Sequence, residues 1–550
     1  MVGERDLWKS RKGFVYAAIG AAIGLGNLWR FPFQAYKNGG GAFFLPYIVA
    51  LFTCGVPLMI LEYQYGRKTR GGSTKAFRLL GKKFEWIGWL QVMVPLIVMM
   101  FYNTIISVSV VFMVWSLGHA FGIINWMSNP GPLMGAIAGT ASGPFDLGAG
   151  ISIYMLSFVI LVWVGNWLIV RNGISQGIER SSKFFTPVLM VMMIIFMINS
   201  VTLEGAAEGL NTLFTPDFSK ILNPNIWVAA YAQVFFSTTL AVGVMIAYGS
   251  YIPDDWDIVN SSFMTVFSNA SFDIISGITV FSTLGYLVNK LGVGFDSFGN
   301  GAGIAFIAFP IAVSQITSNT VLQGIIGFIF FFCLFIAGLS SSISMLESFA
   351  TAAMDKFVID RKKLVSIISV VGFIGSACFA TYAGFNYILD IVDSHVGNYI
   401  IATLGLIETV LMCKYYGIEK IRREANEYSE FKIGKWFNFL LQYVTPLILG
   451  ITVITNLITG FVQLDGAKII FGWGTILVMI TAATIFYRKN GKNLLKNKKT
   501  DKKRYDIMDK RHIFRGDTHE YRSNNNDDNR VFSSLGRTAY ILDGGIKKFK

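Results

Sequence analysis

The sequence predicts an all-α polytopic membrane protein with about twelve transmembrane helices, and three observations carry that prediction. The chain is 53% hydrophobic and only 15% charged. Apolar runs such as Ile151–Val170, Pro187–Val201 and Leu322–Ile336 follow one another with few charges. Runs of about twenty apolar residues cross a hydrocarbon core about 30 Å thick as helices, because lipid offers the backbone no other hydrogen-bond partner. Third, no Lys or Arg occurs from Phe84 through Val170 or from Leu291 through Asp355. Basic residues gather instead at Lys9–Lys12, Arg67–Arg78, Lys82–Lys83, Arg171–Lys183, Arg361–Lys363 and Lys414–Lys435.

That clustering in alternate loops is a positive-inside pattern. It predicts an even number of spans with both termini in the cytoplasm, and it accounts for the net charge of +14 without a nucleic acid partner. Cys54, Cys333, Cys378 and Cys413 all fall in apolar segments with no CxxC spacing, so neither a metal site nor a disulfide framework is expected. The first apolar segment continues past Gly20 without a cleavage-site pattern, so the first helix is expected to be retained.

In chain order, the expected spans are Gly13–Tyr36, Ala42–Gly66, Trp86–Ala120, Ile151–Val170, Lys183–Val201 and Asn225–Tyr248. The second six are Val259–Leu291, Leu322–Lys356, Leu364–Ala383, Tyr387–Tyr416, Trp436–Phe461 and Ala467–Tyr487. The Gly/Pro-rich and nearly uncharged stretch Phe121–Gly150 reads as an outer loop. The apolar stretch near 298–320, with Pro310 near its middle, reads as a bent outer hairpin. The polar tail 489–550 reads as cytoplasmic and without a packed core.

Two spans differ from the others. The first carries Gly20, Gly24 and Gly26 within seven residues, followed by Asn27. Glycine costs about 1 kcal/mol in a helix interior relative to alanine, so this cluster predicts a locally unwound helix. The sixth carries Gln233, Ser237, Thr238 and Thr239 and then Ala241-Val242-Gly243. A broken helix frees N–H groups that suit an anion and carbonyls that suit a cation, and membranes tolerate such breaks where they line a cavity. One break opening each half of the chain suggests inverted five-helix repeats over 13–201 and 202–416, with two additional helices over 436–487.

These residues also carry a resemblance. Gly24-Leu25-Gly26-Asn27-Leu28-Trp29-Arg30-Phe31-Pro32, then Asn38-Gly39-Gly40-Gly41-Ala42-Phe43 and Pro46-Tyr47, resemble the sodium:neurotransmitter symporter family. The bacterial amino-acid transporters of the leucine-transporter fold are the nearest match. Pro57-Leu58-Met59 with Glu62, Gly173–Glu179 with Arg180, Gln233–Ser237 and Ala337-Gly338-Leu339-Ser340-Ser341-Ser342 add to it, and the resemblance runs from Arg5 through Tyr487.

The resemblance implies a sodium-coupled symporter of a neutral amino acid in the plasma (inner) membrane of a prokaryote. It implies two sodium sites. One would use the Ala22 carbonyl, Asn27, Ser237, Asn269 and the substrate carboxylate; the other would use the Gly20 and Ile23 carbonyls, Ala337, Ser340 and Ser341. The substrate carboxylate would meet the Leu25 and Gly26 N–H groups and the Tyr102 hydroxyl, and its ammonium the carbonyls of Ala22, Phe236 and Thr239. Val98, Phe236, Val242, Ser341 and Met345 would line the side-chain pocket. Monoamine-transporting relatives carry Asp at the position of Gly24, so the substrate here is expected to bring its own carboxylate.

The same resemblance implies gates. Arg30 and Asp393 would close the outer side above a lid of Tyr102 and Phe236, and Arg5, Trp8, Tyr251 and Asp355 the inner side. Asp273, four residues after Asn269 and on the same helical face, stands where chloride-dependent relatives place Ser. Chloride-independent transport is therefore expected, with proton counter-transport as a corollary. The alternatives are a sodium-dependent transporter of another small carboxylate-bearing amine, such as an osmolyte, and a channel-like binding protein. With no HExxH, and no GxSxG in a suitable helix, an enzyme is not expected.

Overall fold

The computed structural model describes residues 6–146, 148–292, 294–295, 304–357, 359–462 and 464–489. The tail from residue 490 onward, and with it most of the segment read as a polar tail, lies outside the described residues. Among those described, the chain is helical and its only β-pairings are isolated bridges, Gly40 with Pro216 and Ile151 with Thr381.

The helices in chain order begin with α1 (Arg11–Ala22) and α2 (Leu25–Lys37), the two halves of the first expected span. Then come α3 (Gly41–Thr69), α4 (Ser73–Leu80), α5 (Lys82–Ala120), α6 (Gly131–Ala138), α7 (Ile153–Val170), α8 (Ile174–Val201) and α9 (Ala206–Phe214). The sixth expected span is also divided, into α10 (Pro224–Ser237) and α11 (Val244–Gly249). It is followed by α12 (Ile258–Leu291), α13 (Ala305–Ile316), α14 (Thr320–Lys356), α15 (Arg361–Phe379), α16 (Gly384–Asn426), α17 (Lys435–Gly460) and α18 (Lys468–Arg488). Ten of these described helices are long and apolar enough to cross a membrane. With the two divided spans they make the twelve-span, paired-repeat architecture that the sequence predicts.

Burial sorts the spans into an inner and an outer set. The apolar windows of α5, α3 and α12 are 72%, 67% and 67% buried, against 22% for both α8 and α18. Lipid tails are as apolar as leucine, so contact between spans depends on close packing at small residues. The most extensive packing joins α5 to α14. There a Cβ on Gly338 would come within 2.5 Å of Ile106.

Several boundaries differ from the sequence reading for physical reasons. α8 begins nine residues before Lys183, because Glu179 is buried and its carboxylate accepts from the Lys9 N–H at 2.8 Å and the Ser10 hydroxyl at 2.7 Å. α16 continues through the polar stretch Ile418–Asn426, which hydropathy alone does not register as helix. The stretch Phe121–Gly150 contains α6, and α4 and α9 are further short helices between spans. The expected outer hairpin near 298–320 falls partly outside the described residues; its described part is the single helix α13. Pro310 sits in the first turn of that helix's α-helical portion, where a missing N–H forfeits little, and makes no bend between two arms.

Candidate functional site

The first helix breaks where glycine allows it and a side chain holds it. Ile23 (φ −74°, ψ 109°) and Gly24 (φ −132°, ψ −169°) are both extended, separating α1 from α2. The Gly24 N–H donates to Asn27 Oδ1 at 2.8 Å, so Asn27 caps the helix it belongs to. The Leu25 N–H donates to the Tyr102 hydroxyl at 2.9 Å. A Cβ on Gly24 would lie 2.7 Å from the Tyr102 hydroxyl and 3.0 Å from Ser341 Oγ, which is why only glycine fits between them. Pro32, inside α2, cannot donate to the Leu28 carbonyl; the Ser276 hydroxyl on α12 does so instead, at 3.3 Å.

The sixth helix breaks differently. Thr239 (φ 52°), Ala241 (φ 61°) and Gly243 (φ 73°) alternate in the left-handed region. Left-handed φ costs an L-residue about 1–2 kcal/mol, with a β-branched threonine worse placed than alanine. A buried carboxylate offsets part of this, since the Ala241 N–H donates to Glu62 Oε1 at 2.7 Å.

Between the breaks two groups of oxygens assemble. Asn27 Nδ2 donates to Asn269 Oδ1 at 2.8 Å, and Asn269 Nδ2 donates to Ser237 Oγ at 2.8 Å. This chain joins three of the residues expected at the first sodium site, and Ala22 lines the cavity beside it. The second group gathers all five residues expected at the other site. Ser340 Oγ donates to the Gly20 carbonyl at 2.7 Å and to that of Ala337 at 3.0 Å. Ser341 Oγ lies 3.2 Å from the Ile23 carbonyl and 3.3 Å from that of Ala337. Carbonyl, amide and hydroxyl oxygens are hard and neutral, a donor set that suits a small monovalent cation. Among the described residues no group of three or more His, Cys, Asp or Glu could hold a metal ion.

One cavity of about 60 Å³ lies against both breaks, several times the roughly 10–15 Å³ that a single water requires, so the space admits a small solute. Ala22, Gly26, Val98, Tyr102, Phe236, Thr239, Val242, Ser341 and Met345, all named by the resemblance as substrate contacts, line it. Leu25 takes part only through its N–H to Tyr102. Val94, Pro95, Phe235 and Ile401 also line it and were not anticipated. Val94 and Pro95 were within reach of helical spacing, one turn before Val98; Ile401 comes from α16, and nothing local to it points to the cavity.

Beyond Phe236, the Arg30 guanidinium lies 4.1 Å from the ring centroid. Arg30 and Asp393 interact through their charges, but among the described residues they form no salt bridge. At the end of the bundle that holds residue 6, contact is tight. Trp8 is 2% exposed; its indole donates to the Tyr248 carbonyl at 3.0 Å and its N–H to the Tyr251 carbonyl at 3.1 Å. Asp355 accepts from the Gly72 N–H at 2.6 Å. Arg5 lies outside the described residues.

The Tyr251 hydroxyl donates to Glu347 Oε1 at 2.9 Å and shares a 2.7 Å bond with Thr351, and Arg361 pairs with Glu347. Glu347 and Arg361 were missed by the sequence reading. The available signal was an acidic residue inside an apolar span, which needs a partner. The same signal marks Glu408, fully buried and accepting from Gln91 at 2.5 Å. Asp273, also fully buried, accepts from the Tyr47 hydroxyl at 2.6 Å. Among the described residues its other oxygen and both polar atoms of the Gln233 amide make no hydrogen bond of ordinary geometry, although Asn27 and Gln233 lie close enough to act on the carboxyl group.

Residues 5–128 and 150–487 match the sodium:neurotransmitter symporter family. An uncharacterised sodium-dependent transporter of Methanocaldococcus jannaschii is 37% identical over 477 residues, 85% of this chain and 94% of the relative. A sodium-dependent nutrient amino acid transporter of Drosophila grimshawi is 28% identical, over 83% of this chain and 77% of its own. The crystal structure of MhsT in complex with L-phenylalanine superposes with a TM-score of 0.72 at 28% identity, covering 82% of this chain and all of the other. The chain therefore belongs to the sodium:neurotransmitter symporter family and is a sodium-coupled membrane transporter, not an enzyme.

Proposed function

We propose that this transporter couples sodium entry to the uptake of a neutral, apolar or aromatic amino acid by alternating access. The observation that carries the reading is the cavity itself. It is bounded by the backbone of two helix breaks and by the Tyr102 hydroxyl, and walled by Val94, Pro95, Val98, Val242, Met345 and Ile401. The N-terminus of α2 suits a carboxylate, and the apolar wall suits an uncharged side chain. The phenylalanine in the MhsT complex and the amino-acid description of the Drosophila relative favour the same substrate class.

In this reading two sodium ions travel with the substrate. One is held by the Ala22 carbonyl, Asn27, Ser237, Asn269 and the substrate carboxylate; the other by Gly20, Ile23, Ala337, Ser340 and Ser341. Arg30 with Asp393 closes the outer side, and Arg5, Trp8, Tyr251 and Asp355 the inner side. Asp273 supplies the negative charge that chloride-dependent relatives borrow from the halide, and it carries a proton back on the return step. Residues 13–201 and 202–416 are the two repeats, and both termini face the cytoplasm of a prokaryotic cell.

A scintillation-proximity assay with phenylalanine, leucine and tryptophan, with and without sodium, tests the reading. Saturable binding that needs sodium is the expected result. Competition only by amines that lack a carboxylate would overturn it.

A further inference from the structure

At the end of the bundle that holds residue 6, three lysines stand apart from the ion pairs around them. Lys82 and Lys83 occupy the turn that opens α5, and Lys83 is the last Lys or Arg before Arg171. Lys414, on α16, is the first after Lys363. All three are exposed, and among the described residues none makes an ion pair. The nearby carboxylates are already engaged: Glu85 by Arg78 at 2.6 Å and Lys356 at 2.5 Å, and Glu419 by Arg422 at 2.5 Å.

The lysines are nevertheless gathered. The Phe84 and Tyr415 rings pack with centroids 4.9 Å apart. Lys83 Nζ lies 5.1 Å from the Phe84 centroid, and Lys414 Nζ lies 5.8 Å from that of Tyr415. Ammonium groups over ring faces are drawn to the ring quadrupole, so one aromatic pair collects two cations that, among the described residues, no carboxylate neutralises. Tyr415 is 48% exposed, and Val410, about one turn deeper on α16, is 42% exposed. Below the cations the surface is therefore apolar, where acyl chains run.

We propose that Lys83 and Lys414, seated on the Phe84–Tyr415 ring pair with Lys82 beside them, bind the headgroup of an anionic phospholipid. The phosphate accepts from the ammonium groups, the rings sit at headgroup depth as aromatic residues do at membrane interfaces, and the chains lie along the face that includes Val410. Bilayer surface charge alone attracts every exposed lysine. This site differs in holding two of them in place on one platform.

Native mass spectrometry of the full chain, delipidated and then given phosphatidylglycerol or phosphatidylcholine, tests the proposal. The expected result is preferential retention of phosphatidylglycerol, reduced about 30-fold in affinity by Lys83→Gln with Lys414→Gln, which is the usual contribution per lysine near an anionic membrane surface taken twice. Lys83→Arg with Lys414→Arg should restore it, and Lys362→Gln with Lys363→Gln, in the first turn of α15, should leave it intact. Equal retention by the Lys83/Lys414 glutamine variant overturns the site. An equal loss in the Lys362/Lys363 variant overturns it in favour of diffuse surface charge. Displacement of the lipid by equimolar inorganic phosphate overturns the lipid assignment in favour of a simple anion site.

Discussion

The Tyr47 hydroxyl donates to Asp273 at 2.6 Å, tying α3 to α12 in the buried interior of the bundle. Asp273 is one turn from Asn269, whose amide connects Asn27 to Ser237. On the proposed reading, this carboxylate is the negative charge beside the first sodium site. Uptake with chloride replaced by gluconate should be undiminished in the wild type, and Asp273→Ser should make uptake require chloride. Loss of wild-type uptake in gluconate ends the proposal.

Asn27 makes two of the bonds that define the first break, from the Gly24 N–H and to Asn269. Asn27→Ala leaves both partners buried without it, at about 1–3 kcal/mol for each group left unsatisfied. The sodium concentration for half-maximal binding should rise by at least about tenfold, the equivalent of about 1.4 kcal/mol. Sodium titrations of substrate binding measure it. An unchanged midpoint would remove Asn27 from the site.

Gly24→Ala places a methyl 2.7 Å from the Tyr102 hydroxyl, closer than carbon and oxygen can sit. Either Tyr102 withdraws from the Leu25 N–H or the break widens. Substrate affinity should fall by about tenfold or more, the loss of roughly one hydrogen bond to an ionised group. The expected signature is a weaker Kd with sodium still raising the thermal midpoint; wild-type affinity would mean that the carboxylate does not bind at this break.

Trp8 is held at its end of the bundle by two hydrogen bonds and by packing on Phe14 and Tyr248, with ring centroids 5.6 and 5.3 Å away. Removing a buried tryptophan from a core costs about 3–5 kcal/mol. Trp8→Ala should therefore favour opening on that side. Hydrogen–deuterium exchange across residues 9–22 should accelerate at least about tenfold. Protection equal to the wild type would show that Trp8 does not hold this end closed.

The twelve spans and the first break were legible in the sequence because both depend on local composition. Apolar runs must become helices in lipid whatever surrounds them, and Gly20, Gly24 and Gly26 weaken one helix wherever it lies. Asn27 is three residues from the N–H it caps, so even that bond is a short-range property. The sixth break was legible in place but not in conformation. Thr239 and Ala241 take left-handed backbone beside a carboxylate on α3, and Glu62 is 179 residues from Ala241.

The inner network was less legible still. Trp8 meets Tyr248 across 240 residues, and Arg361 reads from sequence as one more basic residue of a loop until Glu347 comes beside it. Ile401 reaches the cavity only because α16 packs there. By itself the sequence determined the membrane-spanning helices, their order and where two of them come apart. Which buried charges are paired, which oxygens converge, and which apolar side chains complete the cavity were decided by tertiary structure. The physical reason is that helix formation in lipid is satisfied within a segment, whereas a buried polar group needs a partner that only packing can supply.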